Sequence, residues 1–243
     1  GMGGIMDLTG TPDGDPMKVG VAYADIFTGL YSVIGIQSAL VRRSITGEGA
    51  HLDMALLDSQ VGVLANQAMN FLVSGTAPSR MGNQHPNIVP YRVFPVSDGY
   101  IIIACGNDRQ WRDICRILGI PHLSKDKKYA TNAARIENRH EVNAVLDELT
   151  STYTRDDLLA RLEKANVPAG PINNVADVFA DPQVLHRAMQ QTLSIGDKTV
   201  PSVRSPIMLD GEGMAGASAS PRLGQHTSAV LNELEFTEVE IND

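Results

Sequence analysis

The apolar segment from Val19 to Gly35 contains a single acidic residue, Asp25, in the sequence VGVAYADIFTGLYSVIG. At the start of a helix, backbone N–H donors and the positive end of the helix dipole favour an ionised carboxylate. Such a carboxylate, held beside small residues such as Thr28 and Gly29, can attack an activated acyl group. The same position is typical of an ordinary helix N-cap, and the residues alone leave both interpretations open.

The other residues that could do chemistry are isolated. Cys105 and Cys115 have neither CxxC spacing nor the spacing of metal ligands, so we expect no metal site and a reduced, cytoplasmic setting. His85 and His226 are lone histidines, and a lone histidine usually has a structural role. The sequence shows no glycine-rich phosphate loop.

The composition argues against several classes of protein. The chain has 243 residues, and 43% of them are hydrophobic, which is enough to bury a core. The net charge of −8 and the lack of a Lys/Arg block argue against a nucleic-acid partner. We expect no membrane span, because the apolar runs are judged too short, and no secretion signal. Gly1 before Met2 is typical of tag removal, so Met2 is the expected encoded start.

Two apolar helices are expected to position Asp25. Apolar residues follow a helical period from Ile26 to Val41, and the helix is predicted to end at Gly47 or Gly49. The segment HLDMALL is predicted to form a short strand that leads into a second apolar helix. That helix should stop near Gly75.

A second region is predicted after the turn-rich loop SGTAPSRMGNQHPNIVPY, which is typical of a domain boundary. The segments YRVFPV and YIIIAC indicate a β-hairpin that turns at Ser97, Asp98 and Gly99. Helices are predicted for NDRQWRDICRIL, opened by Asn107 or Asp108, for ENRHEVNAVLDELTS, and for TRDDLLARLEKA, capped by Thr154. A strand pair is expected in TLSIGDKTVPSV, with its turn at Gly196-Asp197. The connector DGEGMAGASASPR then leads to a last helix after LGQHTS.

Long blocks of this sequence resemble the family III CoA-transferases, the group of formyl-CoA:oxalate and carnitine CoA-transferases. The likeness includes the block from MGGIM to HLDMALLDS, then GNQHPNIVPYRVF, DGYIIIACGNDRQW, VPAGPINNVADVFADPQVLH and LGQHT. The resemblance implies an α/β fold with a partial large domain and a small α/β domain. It implies a partial large domain at 1–81, the small domain at 82–183 and a return segment at 184–243.

The resemblance also implies a mechanism. The family's nucleophile is an aspartate at the position of Asp25, which passes CoA from an acyl-CoA to an acid through aspartyl anhydride and aspartyl-CoA intermediates. Coenzyme A, as the acyl-CoA substrate, is then the implied cofactor, and no metal is needed. The segment Gly82, Asn83, Gln84 and His85 matches the family's active-site loop, although it is poor in glycine. A plain interdomain loop is an equally open interpretation.

The downstream half is similar to dicarboxylate-type members, such as glutarate and succinate CoA-transferases. A dicarboxylate needs cationic partners, and the candidates near the loop and hairpin are Arg80, Arg92 and Arg109. Each of them also fits an ordinary surface arginine. The sequence therefore assigns no substrate-binding residue.

The chain lacks the long α/β segment that precedes the MGGIM block in the family and supplies most contacts to CoA. We therefore expect the chain alone to be weak or inactive. We also expect a homodimer or a larger assembly, because apolar helix stripes left without cover tend to self-associate.

Two other functions stay open. One is a 2-methylacyl-CoA racemase, in which the matching aspartate works with an upstream histidine and a Glu often stands where this chain has Asp108. The residues DIFTG after the acid favour the transferase instead. The other is an inactive homologue that only folds and associates.

Overall fold

The computed structural model describes residues 1–196, 198–214 and 218–242. The chain divides into two compact units, Gly1–Ile172 and Asn173–Asp243. Both contain helices and strands, so the predicted α/β class is confirmed. The division into parts at 1–81, 82–183 and 184–243 stays a prediction.

The helices and strands of the first unit follow one another along the chain. Its helices are α1 (Ile5–Leu8), α2 (Tyr23–Thr46), α3 (Leu56–Gly62), α4 (Asn66–Ser74), α5 (Asp108–Ile117), α6 (Asn132–Glu137), α7 (Arg139–Thr150) and α8 (Arg155–Lys164), with a 3-10 turn at Leu123–Lys125. Its strands are β1 (Tyr91–Val96), β2 (Gly99–Ala104) and β3 (Ala169–Pro171).

The end of α2 agrees with the sequence prediction. Gly47 takes a left-handed conformation with φ 76°, and its N–H donates to the Arg43 carbonyl oxygen at 2.8 Å. A left-handed C-terminal residue is the usual place for glycine, because it has no Cβ to clash. Gly75 closes α4 in the same way, with φ 71°.

Two predictions for the segment after α2 were wrong. No strand forms in HLDMALL: residues 51–55 pair with no other strand of the described chain, and α3 begins at Leu56. Ala55 is extended, so the local conformation suits a strand, but a strand also needs a hydrogen-bonded neighbour. The second apolar helix is divided into α3 and α4, because Ala65 takes φ 51° and interrupts the helical hydrogen bonding.

The apolar face of α2 is not covered. None of its side chains is buried, and Leu30, Ile34 and Val41 are each more than half exposed. The expectation that no apolar run could span a bilayer was wrong, since α2, with 24 residues, is long and apolar enough to cross a membrane by length and composition. Length and composition alone do not distinguish a spanning helix from the core helix of a soluble protein.

The core of the first unit lies around the three-stranded sheet, whose order is β1-β2-β3. The predicted hairpin is confirmed: β1 and β2 are antiparallel, from Tyr91 opposite Ala104 to Val96 opposite Gly99. Alternate side chains, such as Phe94 and Ile101, point inward and are fully buried. They pack with buried residues of α5, α7 and α8 in one hydrophobic cluster.

Two predicted helix starts in this region are now resolved. Asn107 is the N-cap of α5, and its side chain accepts hydrogen bonds from the N–H groups of Arg109 and Gln110. Thr154 occupies the N-cap position of α8, but its side chain makes no capping bond, so the prediction that it caps was wrong. Asp98 takes over that function from the hairpin turn, because its Oδ1 accepts the Arg155 N–H at 2.7 Å.

The side chain of Arg135 is completely buried inside this unit. Its guanidinium donates to the Val89 carbonyl oxygen at 2.6 Å, to the Tyr129 carbonyl oxygen at 2.9 Å and to Asp108 Oδ1 at 2.9 Å. It also lies over the Trp111 ring, 5.2 Å from the ring centroid. A buried cation is tolerated only when its N–H donors are hydrogen-bonded. In Arg135, each guanidinium nitrogen donates to an acceptor.

The second unit is built from short elements. Its helices are α9 (Val175–Ala180), α10 (Pro182–His186), α11 (Thr227–Glu233) and α12 (Glu238–Asn242), and its strands are β4 (Gln190–Ile195), β5 (Lys198–Val203), β6 (Met208–Leu209) and β7 (Glu212–Gly213).

The predictions for the second unit agree with the structure only in part, since β7 (Glu212–Gly213) lies within the predicted connector. The strands β4 and β5 form the predicted antiparallel pair. The turn residue Asp197 and part of the predicted connector, residues 215–217, lie outside the described residues. His226 stands directly before α11, which begins at Thr227 inside the LGQHTS segment, and α12 rather than α11 is the last helix.

We predict that Arg135→Ala lowers the free energy of unfolding by about 3–5 kcal/mol. The variant leaves two carbonyl oxygens without their donor and opens a cavity beside Trp111. Urea unfolding measures the change. Arg112→Ala, an exposed arginine on the same helix as Trp111, is the matched control and should stay within about 0.5 kcal/mol of the parent. A loss below about 1 kcal/mol for Arg135→Ala would contradict the prediction.

We also predict that Cys105 and Cys115 resist a thiol reagent in the folded protein. Burial raises the pKa of Cys105 to about 11 and that of Cys115 to about 12, and the thiolate is the reactive form. At about pH 8, Ellman's reagent should react slowly with the native protein and rapidly in concentrated urea. Equal rates in the two conditions would show that the core opens readily.

Candidate functional site

Asp25 lies in the first turn of α2, not at its N-cap. Ala22 is the N-cap residue, and no side chain caps this helix end. The interpretation of Asp25 as a capping residue was therefore wrong. Its side chain is exposed and makes no hydrogen bond or ion pair within the described residues. The first turn still places the carboxylate at the positive end of the helix dipole, where negative charge is favoured.

An open depression of about 380 Å³ lies beside Asp25. Three parts of the chain line it: the N-terminal segment with Ile5, the residues from Lys18 to Asp25, and Gln60 of α3. An acidic residue, a lysine and a glutamine are therefore among the residues that line one depression. An open carboxylate beside polar groups can act as a nucleophile.

The small residues after Asp25 leave space, as the sequence predicted. Apart from its chain neighbours and the nearby backbone of its own helix, no atom of the described residues lies within 4 Å of the place where a Cβ on Gly29 would stand. The Thr28 hydroxyl donates back to the Ala24 carbonyl oxygen at 2.7 Å, so it is occupied inside the helix. Gly29 thus keeps this side of the first turns of α2 open.

The loop of Gly82, Asn83, Gln84 and His85 is fixed to α7. Arg139 donates from Nη1 to the His85 carbonyl oxygen at 3.0 Å and from Nη2 to the Pro86 carbonyl oxygen at 2.6 Å. Asn143 Nδ2 donates to Gln84 Oε1 at 3.3 Å. These bonds hold the second half of the loop, and Gly82, with φ 60°, makes the turn before it.

His85 is held as a neutral imidazole. Its Nδ1 accepts the Asn87 N–H at 3.1 Å, so the ring proton is on Nε2. The ring stacks on Tyr91 with 5.0 Å between the centroids and 16° between the planes. Burial and the nearby Arg139 cation hold the pKa of His85 below its ordinary value.

The structure does not bring the loop to the depression at Asp25. The residues that line the depression all lie in the segments 1–6 and 18–25 and at Gln60, and none comes from 82–85. The matching of this loop to an active-site loop therefore stays a prediction.

Two of the three candidate arginines are already paired. Arg80 forms an ion pair with Asp7 at 2.8 Å, and Arg92 forms one with Asp147. Arg109 is exposed on α5. The paired arginines are less available to a substrate carboxylate than their sequence position suggests, since each would first have to give up its partner.

The sequence analysis missed Lys18 and Gln60, which line the depression with Asp25. No motif marks either residue. Gln60 reaches the site because α3 folds back toward the N-terminal segment, and this contact is tertiary. No cluster of three or more His, Cys, Asp or Glu side chains suited to a metal ion occurs among the residues that the structure describes.

Comparison with protein families gives one match over most of the chain. The model described as CoA-transferase family III matches residues 1–227. This region includes Asp25 and the loop at 82–85.

Curated relatives show the same likeness. The chain is 52% identical over 239 residues to a succinate–glutarate CoA-transferase of Agrobacterium fabrum, a match that covers 98% of this chain and 60% of the relative. It is 38% identical over 234 residues to a human succinyl-CoA:glutarate CoA-transferase, covering 95% of this chain and 53% of the relative. The chain therefore spans between about half and three fifths of the length of these relatives.

A solved structure has the same fold. The crystal structure of a CaiB/BaiF family protein from Brucella suis matches with a TM-score of 0.77 and 58% sequence identity. The match covers 96% of this chain and 61% of that chain.

We predict that Arg139→Gln raises the pKa of His85 toward its ordinary value. Without the Arg139 cation, no nearby positive charge destabilises the His85 imidazolium. Burial still keeps the pKa of His85 below its ordinary value. An NMR titration of the His85 ring protons measures the shift. Arg109→Gln, an exposed arginine on α5, is the control and should leave the titration unchanged. An unchanged His85 titration in Arg139→Gln would contradict the prediction.

Proposed function

Because this chain belongs to CoA-transferase family III, we propose that it carries the nucleophile of an enzyme that moves CoA from an acyl-CoA thioester to a carboxylic acid. Asp25 is that nucleophile. The observation that supports this most directly is the exposed Asp25 residue, whose side chain has no hydrogen-bond or ion-pair partner in the described part of the chain and which lines an open depression.

The first half of the proposed reaction transfers an acyl group to Asp25 and then exchanges it for CoA. A carboxylate oxygen of Asp25 attacks the thioester carbonyl carbon, the C–S bond breaks, and CoA leaves as a thiolate. The product is a mixed anhydride. The thiolate then attacks the aspartyl carbonyl carbon, and the donor acid leaves as its carboxylate. The result is an aspartyl-CoA thioester.

The second half runs the same steps toward the acceptor. The acceptor carboxylate attacks the aspartyl-CoA carbonyl carbon and releases the thiolate, which gives a second anhydride. The thiolate attacks the acceptor carbonyl carbon, and the Asp25 carboxylate is regenerated. No net proton or electron is gained or lost, and each bond broken is replaced by one of similar group-transfer potential. Water must be kept out, since it would hydrolyse the anhydride.

We propose dicarboxylic acids as the substrate class. Two relatives that share 52% and 38% identity with this chain are named for transfer between succinate or succinyl-CoA and glutarate. Arg109 is the remaining candidate partner for a second carboxylate in the proposed small domain, because Arg80 and Arg92 are paired. The uncovered apolar faces of α2 and α4 support self-association of the chain. A cytoplasmic location is part of the same proposal.

The racemase alternative is less well supported. It would need an acid at the hairpin-to-helix junction that is free to act on a substrate. Asp108, which occupies that junction, accepts a hydrogen bond from the buried Arg135 at 2.9 Å. The role of Asp108 as a counterion accounts for its presence there.

We predict that Asp25→Asn abolishes CoA transfer while the stability changes by less than about 0.5 kcal/mol. The amide keeps the shape of the side chain but is a poor nucleophile, and Asp25 makes no capping bond that could be lost. Asp25→Ala should lose transfer in the same way. The assay mixes succinyl-CoA and glutarate with the native full-length protein that carries this chain.

The adduct provides the second readout. The parent is mixed with succinyl-CoA, quenched with hydroxylamine and digested, and a hydroxamate should be found on Asp25. Asp58→Asn, an acid on α3 outside the depression, is the matched control and should keep both transfer and adduct. Full transfer by Asp25→Asn, or a parent that shows neither transfer nor adduct, would overturn the proposal and leave an inactive homologue as the better description.

A further inference from the structure

Gln60 is the carboxamide in the lining of the Asp25 depression. It belongs to α3 and is half-buried, so its side chain is more restrained than that of the exposed Lys18 on the same lining. Tyr23 also lines the depression, but its ring packs against Phe27 with 4.7 Å between the centroids. The Gln60 side chain makes no hydrogen bond within the described residues, so its two amide N–H donors are available.

The end of the Gln60 side chain is positioned by a glycine. Gly3 is buried, and a Cβ placed on it would lie 1.8 Å from Gln60 Oε1, 2.5 Å from Cδ and 2.7 Å from Cγ. The carboxamide therefore occupies the space that any other residue at position 3 would fill. Its oxygen is the amide atom closer to Gly3, and its NH₂ group is farther away.

We infer that Gln60 is a substrate-contacting residue whose NH₂ group binds the carbonyl oxygen of the acyl group under attack by Asp25, and that Gly3 holds it in place. This inference rests on the proposed function. When the Asp25 oxygen attacks the thioester, the carbonyl oxygen gains negative charge. A fixed N–H donor stabilises that charge more than it stabilises the substrate, and so it accelerates the step.

Two matched effects on rate are expected. Gln60→Ala should lower kcat by about 100-fold with little change in KM for the acyl-CoA, because the contact strengthens in the transition state. Gly3→Ala should produce a loss of the same size, since the new methyl group must displace the Gln60 carboxamide. The clash is with the end of a flexible side chain, so we expect Gly3→Ala to fold normally.

The double variant separates this role from a general loss of structure. Gly3→Ala acts through Gln60, so Gly3→Ala combined with Gln60→Ala should be no slower than Gln60→Ala alone, within about twofold. Additive losses would mean that Gly3→Ala acts by another route, and they would overturn the positioning role. Gly62→Ala is the control on the same helix, because nothing lies within 4 Å of its added Cβ, and it should keep the parental kcat.

The experiment uses the native full-length protein with succinyl-CoA and glutarate and follows transfer, the Asp25 hydroxamate and the thermal midpoint for each variant. Three results together support the inference. The parent forms the adduct on Asp25, both single variants lose kcat, and the thermal midpoints of both are unchanged. A parental adduct with kcat retained in Gln60→Ala overturns the inference and leaves the proposed function intact. A parent with no adduct and no transfer overturns both.

Discussion

The buried guanidinium of Arg135 is the constraint on which the ordered core depends. It joins the carbonyl oxygen of Val89 just before the sheet, that of Tyr129 in the connection to α6, and the Asp108 carboxylate at the start of α5. A cation without these acceptors would not stay inside a protein. The sheet, α5 and α6 are therefore held in one arrangement. The Arg135 guanidinium also lies over the Trp111 ring.

The proposed nucleophile stands in a part of the first unit with little core of its own. The hydrophobic cluster runs from Val89 to Val167, whereas α2 and α4 bury none of their side chains. Short contacts hold that part together instead, such as the Arg80–Asp7 ion pair and the packing of Gln60 on Gly3. The geometry around Asp25 thus depends on a few contacts, and the loss of one of these contacts would change it.

Rigidity and reactivity are divided between different segments. The loop at 84–87 is fastened by Arg139 and Asn143, and its histidine is neutral. The Asp25 side chain makes no hydrogen bond or ion pair within the described residues, which leaves its carboxylate open to a substrate in the proposed reaction. Asp108 has a structural role instead, because its partner Arg135 is fully buried and needs a counterion.

The sequence by itself determined the elements whose signals are local. The β1–β2 hairpin, the end of α2 at Gly47 and the end of α4 at Gly75 follow from strand alternation and from glycine in left-handed positions. Family membership could also be recognised from the order of its motifs, and with it Asp25 as the candidate nucleophile.

Only the tertiary structure decided which side chains have partners. It showed that Ala55 is extended without a neighbouring strand, that Asp98 rather than the Thr154 side chain caps α8, and that Arg135 needs Asp108. It also placed Gln60 beside Asp25, although 34 positions in the chain separate them. Each of these facts depends on whether residues far apart in the chain make contact, and a local pattern carries no information on such contacts.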